Sequence, residues 1–273
     1  MSITWDSNEP PKTTKVSVLG WVRVLLRGCA IMTTIAFGLL LMLPLRLVEA
    51  RVHGMARPWT PRITRVVCRM SLICMGLRFE RRGASMQGQG AVVANHSSWL
   101  DIFVLNASDQ VFFVSKSEVA GWPGIGFLAR VTGTVFIARA RREAKAQTQV
   151  FEDRLLAGHR LLFFPEGTST DGQQVLPFKS TLFQAFLADG LRDVLSVQPV
   201  SVTYHAPKGA DPRIYGWWGD MDFGPHMIAT LALARQGRVV VTYHSPLKVA
   251  NFADRKALAT ASEIAVCNGH AVT

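Results

Sequence analysis

Two residues five positions apart, His96 and Asp101, are the pair in this chain best suited to moving a proton. Histidine takes up and returns a proton near neutral pH. A carboxylate beside it can fix its tautomer and hold its ring. Such a pair can activate a hydroxyl. On one straight helix, residues five apart point about 140° away from each other. The pair therefore needs a junction. The apolar run 91–94 reads as a strand, and Ser98 can cap a helix that starts at Trp99 with Asp101 in its first turn. His96 then lies in the loop between them. The same letters also read as a capping box, with Asp101 pairing a backbone amide and His96 an ordinary loop residue. Both readings stand at this point.

Three more blocks carry polar groups at the ends of apolar runs. Run 161–164 leads into Pro165 and Glu166, and Gly167 permits close backbone approach. Thr168, Ser169, Thr170, Asp171 and Gly172 follow, so a plain polar turn fits as well. Strand 134–138 ends at Arg139, which could make forked contacts to a phosphate or carboxylate. Beside Arg141 and Arg142 it could equally be solvated. Run 197–202, with Pro199 inside it, reads as packing.

The elements that must position these groups alternate. Strands are expected at 77–81, 91–94, 111–114, 134–138, 161–164, 197–204 and 239–244. Helices are expected at 98–106, 124–131, 143–157, 182–189 and 253–267. That order predicts an α/β domain over residues 77–273, with a mostly parallel or mixed sheet flanked by helices. Ligands gather at the carboxyl ends of such strands.

Residues 1–15 are polar and read as a loosely ordered N-terminus. Residues 16–76 read as a two-helix membrane anchor. Run 29–45 is nearly continuous hydrocarbon, close to the lower length limit for a bilayer span, and Pro44 could kink or end it. Arg23 and Arg27 precede it, and Arg46 and Arg51 follow. Basic flanks on both sides favour a helix dipping into one leaflet, with a single span and a buried core helix as the alternatives. In 59–77, Ile63, Val66, Val67, Met70, Ile73, Cys74 and Leu77 recur at helical spacing, with Arg62, Arg65 and Arg69 on another stripe. This suits a helix in a headgroup layer, or a surface helix packed on its own domain.

The 273 residues carry a net charge of +11 and are 49% hydrophobic. A basic excess implies an anionic partner. The cations concentrate beside apolar helices, and no zinc-ligand spacing or aromatic RNA-binding motif occurs, so an anionic membrane surface is expected and nucleic acid is not. Cys29, Cys68, Cys74 and Cys267 form neither a metal pattern nor a disulfide framework. No G-x-S-x-G elbow supports a serine hydrolase. Gly124 to Ala129 lacks the preceding strand a nucleotide loop needs.

Taken in order, Asn95-His96-x4-Asp101, Gly133-x-Val135-Phe136-Ile137-x-Arg139, Phe164-Pro165-Glu166-Gly167-Thr168 and the proline-containing strand resemble the glycerolipid acyltransferases, typified by bacterial 1-acylglycerol-3-phosphate acyltransferase. The resemblance covers roughly residues 77–204. It implies that His96 is the general base on an acceptor hydroxyl and Asp101 its partner. It implies that Arg139 binds the acceptor's anionic group, that Glu166, Gly167 and Thr168 shape the acceptor site, and that Lys116 lies near it. The acyl donor would be acyl carrier protein thioester or acyl-CoA, with no cofactor and no metal. The enzyme would sit on the cytoplasmic face of the bacterial inner membrane. Lysophosphatidate acyltransferases have arginine after F-P-E-G-T, whereas this chain has Ser169 and then Asp171. That pattern, with Leu176-Pro177-Phe178-Lys179-Ser180-Thr181, is similar to the lyso-ornithine lipid O-acyltransferase sub-branch. A zwitterionic acceptor would put its carboxylate on Arg139 and its ammonium near Asp171. Lysophosphatidate is the alternative acceptor.

Overall fold

The computed structural model describes residues 4–7, 15–88, 90–137, 144–188 and 190–271. Its centre is a mixed sheet in the order β1-β7-β6-β2-β5-β3-β4. The strands are β1 (Arg78–Arg82), β2 (Gly90–Ala94), β3 (Phe112–Lys116), β4 (Val135–Ile137), β5 (Arg160–Phe163), β6 (Ser196–His205) and β7 (Arg238–Tyr243), with a two-residue β8 (Leu247–Lys248) beside β6. Strands β2 to β6 run parallel, β7 is antiparallel to β6, and β1 is parallel to β7.

All five residues of β2 are buried, as expected for a strand covered on both faces. One face carries α2 (Thr60–Met75), α3 (Asp101–Ser108) and α6 (Phe223–Ala232), packed over Val92, Ala94, Val200, Val202 and Tyr204. The other carries α5 (Ala144–Leu156), the turns of 180–187 and α7 (Arg255–Ala271), packed over Ala91, Val93, Leu161 and Phe163. Helix α4 (Ile125–Thr132) leads into β4. Pro199 sits inside β6 but just beyond the last β7 pair, Val200 with Tyr243. The Gln198 side chain bridges the gap, donating to the carbonyls of Ala84 and His244 and accepting from Met86 N. A central proline is tolerated because it lies past the end of the β7 ladder, while the parallel register with β2 continues through it, Val93 against Pro199.

Helix α1 (Val18–His53) has 36 residues, about 54 Å at 1.5 Å each, and continues past Pro44 without a break. It is long and apolar enough to cross a membrane. Both its ends are nevertheless tied to the same body. Arg27 donates to the carbonyls of Leu231 and Leu233 at the end of α6, each at 2.7 Å. Glu49, 22 positions on, caps α2 by accepting from Trp59 N, Thr60 N and the Thr60 hydroxyl. A helix held at two points about 33 Å apart lies along the domain instead of projecting from it.

The second helix read from the sequence, α2, packs one face on the domain and keeps an apolar face outside. α2 buries Thr64, Cys68, Leu72 and Met75 and leaves Val66, Met70 and Ile73 exposed. Two of its three arginines reach into the domain, while Arg62 is exposed. Arg65 and Arg69 donate to the carbonyls of Ser108 and Ala107, the free carbonyl end of α3. Cations there complement the helix dipole. Spacing alone could not reveal this, because the partner carbonyls lie some forty residues away.

Candidate active site

The carboxyl end of β2 is extended by a side chain. Asn95 Oδ1 accepts from Val202 N at 2.8 Å, and its Nδ2 donates to Val202 O at 2.9 Å, which copies one more strand pair onto β6. The chain then turns through His96, Ser97 and Ser98 into α3. Asp101 opens that helix and is fully buried. Its Oδ2 accepts from His96 Nδ1 at 2.8 Å, Ser97 N at 2.8 Å and Ser98 N at 3.0 Å. The cap and the proton-transfer pair are thus one arrangement on one oxygen. With Nδ1–H donated to Asp101, the lone pair of the neutral imidazole is on Nε2, which has no partner among the described residues. The His96 side chain is 20% exposed, and its ring stacks on Phe164 with centroids 4.0 Å apart.

Asp101 Oδ1 accepts from the Tyr204 hydroxyl at 2.7 Å. Burial and the neighbouring Asp101 push the Tyr204 phenol well above its ordinary value, so it remains an O–H donor. The sequence reading placed Tyr204 in a strand and assigned it no role. The signal was there: Val200, Val202 and Tyr204 alternate toward the α3 face, and Tyr204 is the polar one, near the carboxyl end of β6.

Glu166 follows β5 and is also buried. Its two oxygens accept from His96 N at 2.6 Å and Leu176 N at 2.7 Å. Burial outweighs these two donors and pushes the Glu166 carboxyl up to about 8. Glu166 therefore grips the backbone of the histidine itself. Gly167 has φ 73°, a left-handed conformation that favours glycine, and a Cβ there would meet the Lys179 ammonium group. The Thr168 hydroxyl accepts from Trp5 N at 3.3 Å, while Trp5 O accepts from Gly219 N, so the segment 4–7 lies across this loop. Lys116, at the end of β3, donates to Gly167 O at 3.3 Å. Ser169 is half-buried and accepts from the Thr168 hydroxyl through its carbonyl.

Asp171 departs from the expectation that it faces an ammonium group. It is 8% exposed, and its Oδ1 accepts from Gln173 N within its own turn. Arg139 lies outside the described residues. Trp218 is buried, and Trp217 donates to Met221 O. The aromatic next to the His96 loop, Trp99, donates to His226 Nδ1 at 2.9 Å, and burial pushes that histidine down to about 4. What the fold brings together is His96, Asp101, Tyr204, Glu166 and Lys116, at the carboxyl ends of β2, β5, β6 and β3.

A preorganised, partly exposed imidazole at the strand ends suits proton abstraction from a hydroxyl. Comparison with known proteins agrees with that chemistry. Residues 77–203 match the family model described as Acyltransferase, and the chain belongs to that family: it is an enzyme that transfers acyl groups. It is 56% identical to a lyso-ornithine lipid O-acyltransferase of Rhodobacter capsulatus, over 97% of this chain and 96% of the relative. It is 38% identical to a Brucella abortus protein of the same name, over 75% and 80% of the two chains. The crystal structure of the 1-acyl-sn-glycerophosphate (LPA) acyltransferase PlsC from Thermotoga maritima shares the fold. Its TM-score is 0.65 at 21% identity, covering 93% of this chain and 94% of the other.

Proposed function

We propose that this enzyme moves a fatty acyl group from a thioester donor to the hydroxyl of lyso-ornithine lipid. The observation that carries the acceptor is the near-full-length similarity to the Rhodobacter capsulatus lyso-ornithine lipid O-acyltransferase. Ser169, standing where a phosphate-reading arginine would be expected, supports the same reading.

In this reading His96 Nε2 takes the proton of the acceptor hydroxyl as its oxygen attacks the thioester carbonyl. The imidazolium that forms is held by Asp101. The C–S bond then breaks, and the proton passes from His96 to the departing sulfur. No covalent enzyme intermediate is needed. A positioned base contributes about 10²–10⁴ in rate. Tyr204 holds the free oxygen of Asp101. Glu166 fixes the His96 backbone, and Gly167, Thr168, Ser169, Lys116 and Arg139 border the acceptor. Asp171 supports the acceptor loop from its turn. The donor is acyl carrier protein thioester or acyl-CoA, both anionic and suited to a chain of charge +11. The enzyme works on the cytoplasmic face of the inner membrane, held there by the apolar side of α1.

The test offers purified enzyme equal amounts of lyso-ornithine lipid and lysophosphatidate with acyl carrier protein thioester. A higher kcat/KM for lyso-ornithine lipid is expected. A higher value for lysophosphatidate overturns the acceptor assignment and leaves the class intact.

A further inference from the structure

The amino ends of the strands, at the far side of the sheet from His96, hold an unusual set of cations. Arg57 Nη1 donates to Val131 O at 3.2 Å, and Arg154 Nη2 donates to Gly133 O at 2.7 Å, both at the end of α4. Arg154 Nε donates to His159 Nδ1 at 2.6 Å, and His159 Nε2 donates to Ala56 O at 3.3 Å. That pattern is the neutral imidazole; burial and the adjacent Arg154 push it down to about 4. The Arg154 guanidinium lies over Phe112, 4.8 Å from the ring centre.

Burial pushes both guanidiniums down to about 10, and Arg46 adds repulsion to each. Neither has a carboxylate partner among the described residues. The nearby Glu49 is already taken by Arg46 and the start of α2. A guanidinium has five N–H donors. The α4 carbonyls occupy one on each residue and His159 takes one more from Arg154; Glu49 attracts Arg57 without a hydrogen bond to it, and no carboxylate among the described residues hydrogen-bonds either guanidinium. Arg57 also has φ 45°, the one non-glycine positive φ among the described residues. Such strain persists where the surroundings impose it, and it gathers at ligand clamps.

We propose that Arg57 and Arg154, with Arg46, bind the phosphate group of an anionic membrane phospholipid. Arginine forks match phosphate oxygens. The membrane source follows from position. The cluster lies beside the turn 54–59 at the end of apolar α1, next to exposed Val52 and Met55. Trp59 stands edge-on to His53 in the same turn, with ring centres 4.7 Å apart. Tryptophan favours the headgroup level. The site is separate from the acyl acceptor and does not depend on which lyso-lipid is acylated.

Full-length protein in non-ionic detergent is titrated with monomeric dihexanoyl phosphatidylglycerol, and in parallel with inorganic phosphate, while Tm is followed. The lipid is expected to raise Tm and the free ion to raise it less. Vesicles of phosphatidylcholine with phosphatidylglycerol are expected to bind Arg57→Gln/Arg154→Gln at least about tenfold more weakly than Arg51→Gln/Arg62→Gln, which removes the same charge from exposed positions. Acyl transfer in detergent stays within about twofold in the Arg57/Arg154 double variant, since neither residue touches the reacting groups. A Tm response to phosphate as large as that to the lipid overturns the lipid source. Equal vesicle loss in both double variants, or no Tm response of the unmodified protein to either ligand, overturns the site. If the glutamine pair fails to fold by circular dichroism, Arg57→Lys/Arg154→Lys keeps the charge and removes the fork. Vesicle binding as strong as that of the unmodified protein then overturns the phosphate assignment.

Discussion

The two ends of the sheet bury charge in opposite ways. At the carboxyl ends the buried acidic groups are Asp101 and Glu166, and each of their oxygens has a donor. Asp101 accepts four hydrogen bonds and Glu166 accepts two. At the amino ends, beside the largely buried Arg160–Asp109 ion pair, two half-buried guanidiniums, Arg57 and Arg154, have carbonyls and a neutral histidine as their hydrogen-bond partners. A carboxylate ringed by donors is complete and rigid, which is what a proton-transfer site requires. A guanidinium on carbonyls keeps spare donors and an unbalanced charge, which leaves it ready for a ligand. The same low dielectric therefore fixes geometry at one end and leaves a vacancy of charge at the other.

The comparison can be broken most sharply at the imidazole. His96→Ala should lower kcat by about 10³ or more with vesicle binding unchanged. Asp101→Asn should lose about 10²–10⁴, because an amide NH2 would face backbone donors and the imidazolium would lose its counter-charge. Loss of vesicle binding in either variant would mean that the two ends are coupled. Glu166→Gln should cost about tenfold to a hundredfold in kcat and roughly 1–3 kcal/mol in stability. A protonated glutamate can still accept at both oxygens, whereas the glutamine NH2 opposes the N–H of His96 or Leu176. Full activity of Glu166→Gln would show that the grip on the His96 backbone does not matter.

Tyr204→Phe sharpens the comparison with a smaller effect. It leaves Asp101 Oδ1 without its donor. A fall of about threefold to thirtyfold in kcat/KM is expected, with the acid limb of the pH–rate profile moved to higher pH, because the less neutralised carboxylate grips the imidazolium harder. An unmoved limb would reduce Tyr204 to a packing role.

Stability against pH tests both ends together. His159 and His226 are held near 4 in the folded protein against an ordinary 6.5. The unfolded chain binds more protons in that window, so their contribution is present above 6.5 and is lost as pH falls toward 4. Glu166 has the opposite sign. Its folded value of about 8 exceeds its ordinary 4.5, so its contribution is present below 4.5 and declines as pH rises through 8. Tm should therefore fall on both sides of a maximum near neutrality, by the equivalent of roughly 1–3 kcal/mol on each flank. His159→Gln, whose amide oxygen still accepts from Arg154, should flatten the acid flank. A Tm independent of pH between 4 and 8 would contradict this balance of buried groups.

The strands and most helices were legible because runs buried on both faces are apolar throughout, and their ends carry turn residues. Helix α6 was not, since Gly224 and Pro225 in its first turn look like a loop, and its partners, Arg23 and Arg27, lie two hundred residues away. The site was legible where its groups are local. His96 and Asp101 are linked by the loop between them. Tyr204 and Glu166 act on that loop from other strands, and single-chain spacing holds no record of such contacts beyond alternation. Arg65 and Arg69 show the reverse error. Helical periodicity found their stripe, but not that two of its members, Arg65 and Arg69, donate to the carbonyl end of α3.

Helix α1 is tied to the catalytic body at both Arg27 and Glu49 and exposes apolar side chains from Val18 to Val52. If this rod, about 54 Å long, lies flat in one leaflet, it adds lateral area to that leaflet alone. The enzyme should then favour membranes whose outer packing is already loosened by curvature, and bind small vesicles better than large ones of the same lipid. Its product carries one more acyl chain than its substrate, so each turnover would enlarge the apolar volume of the leaflet in which α1 is seated.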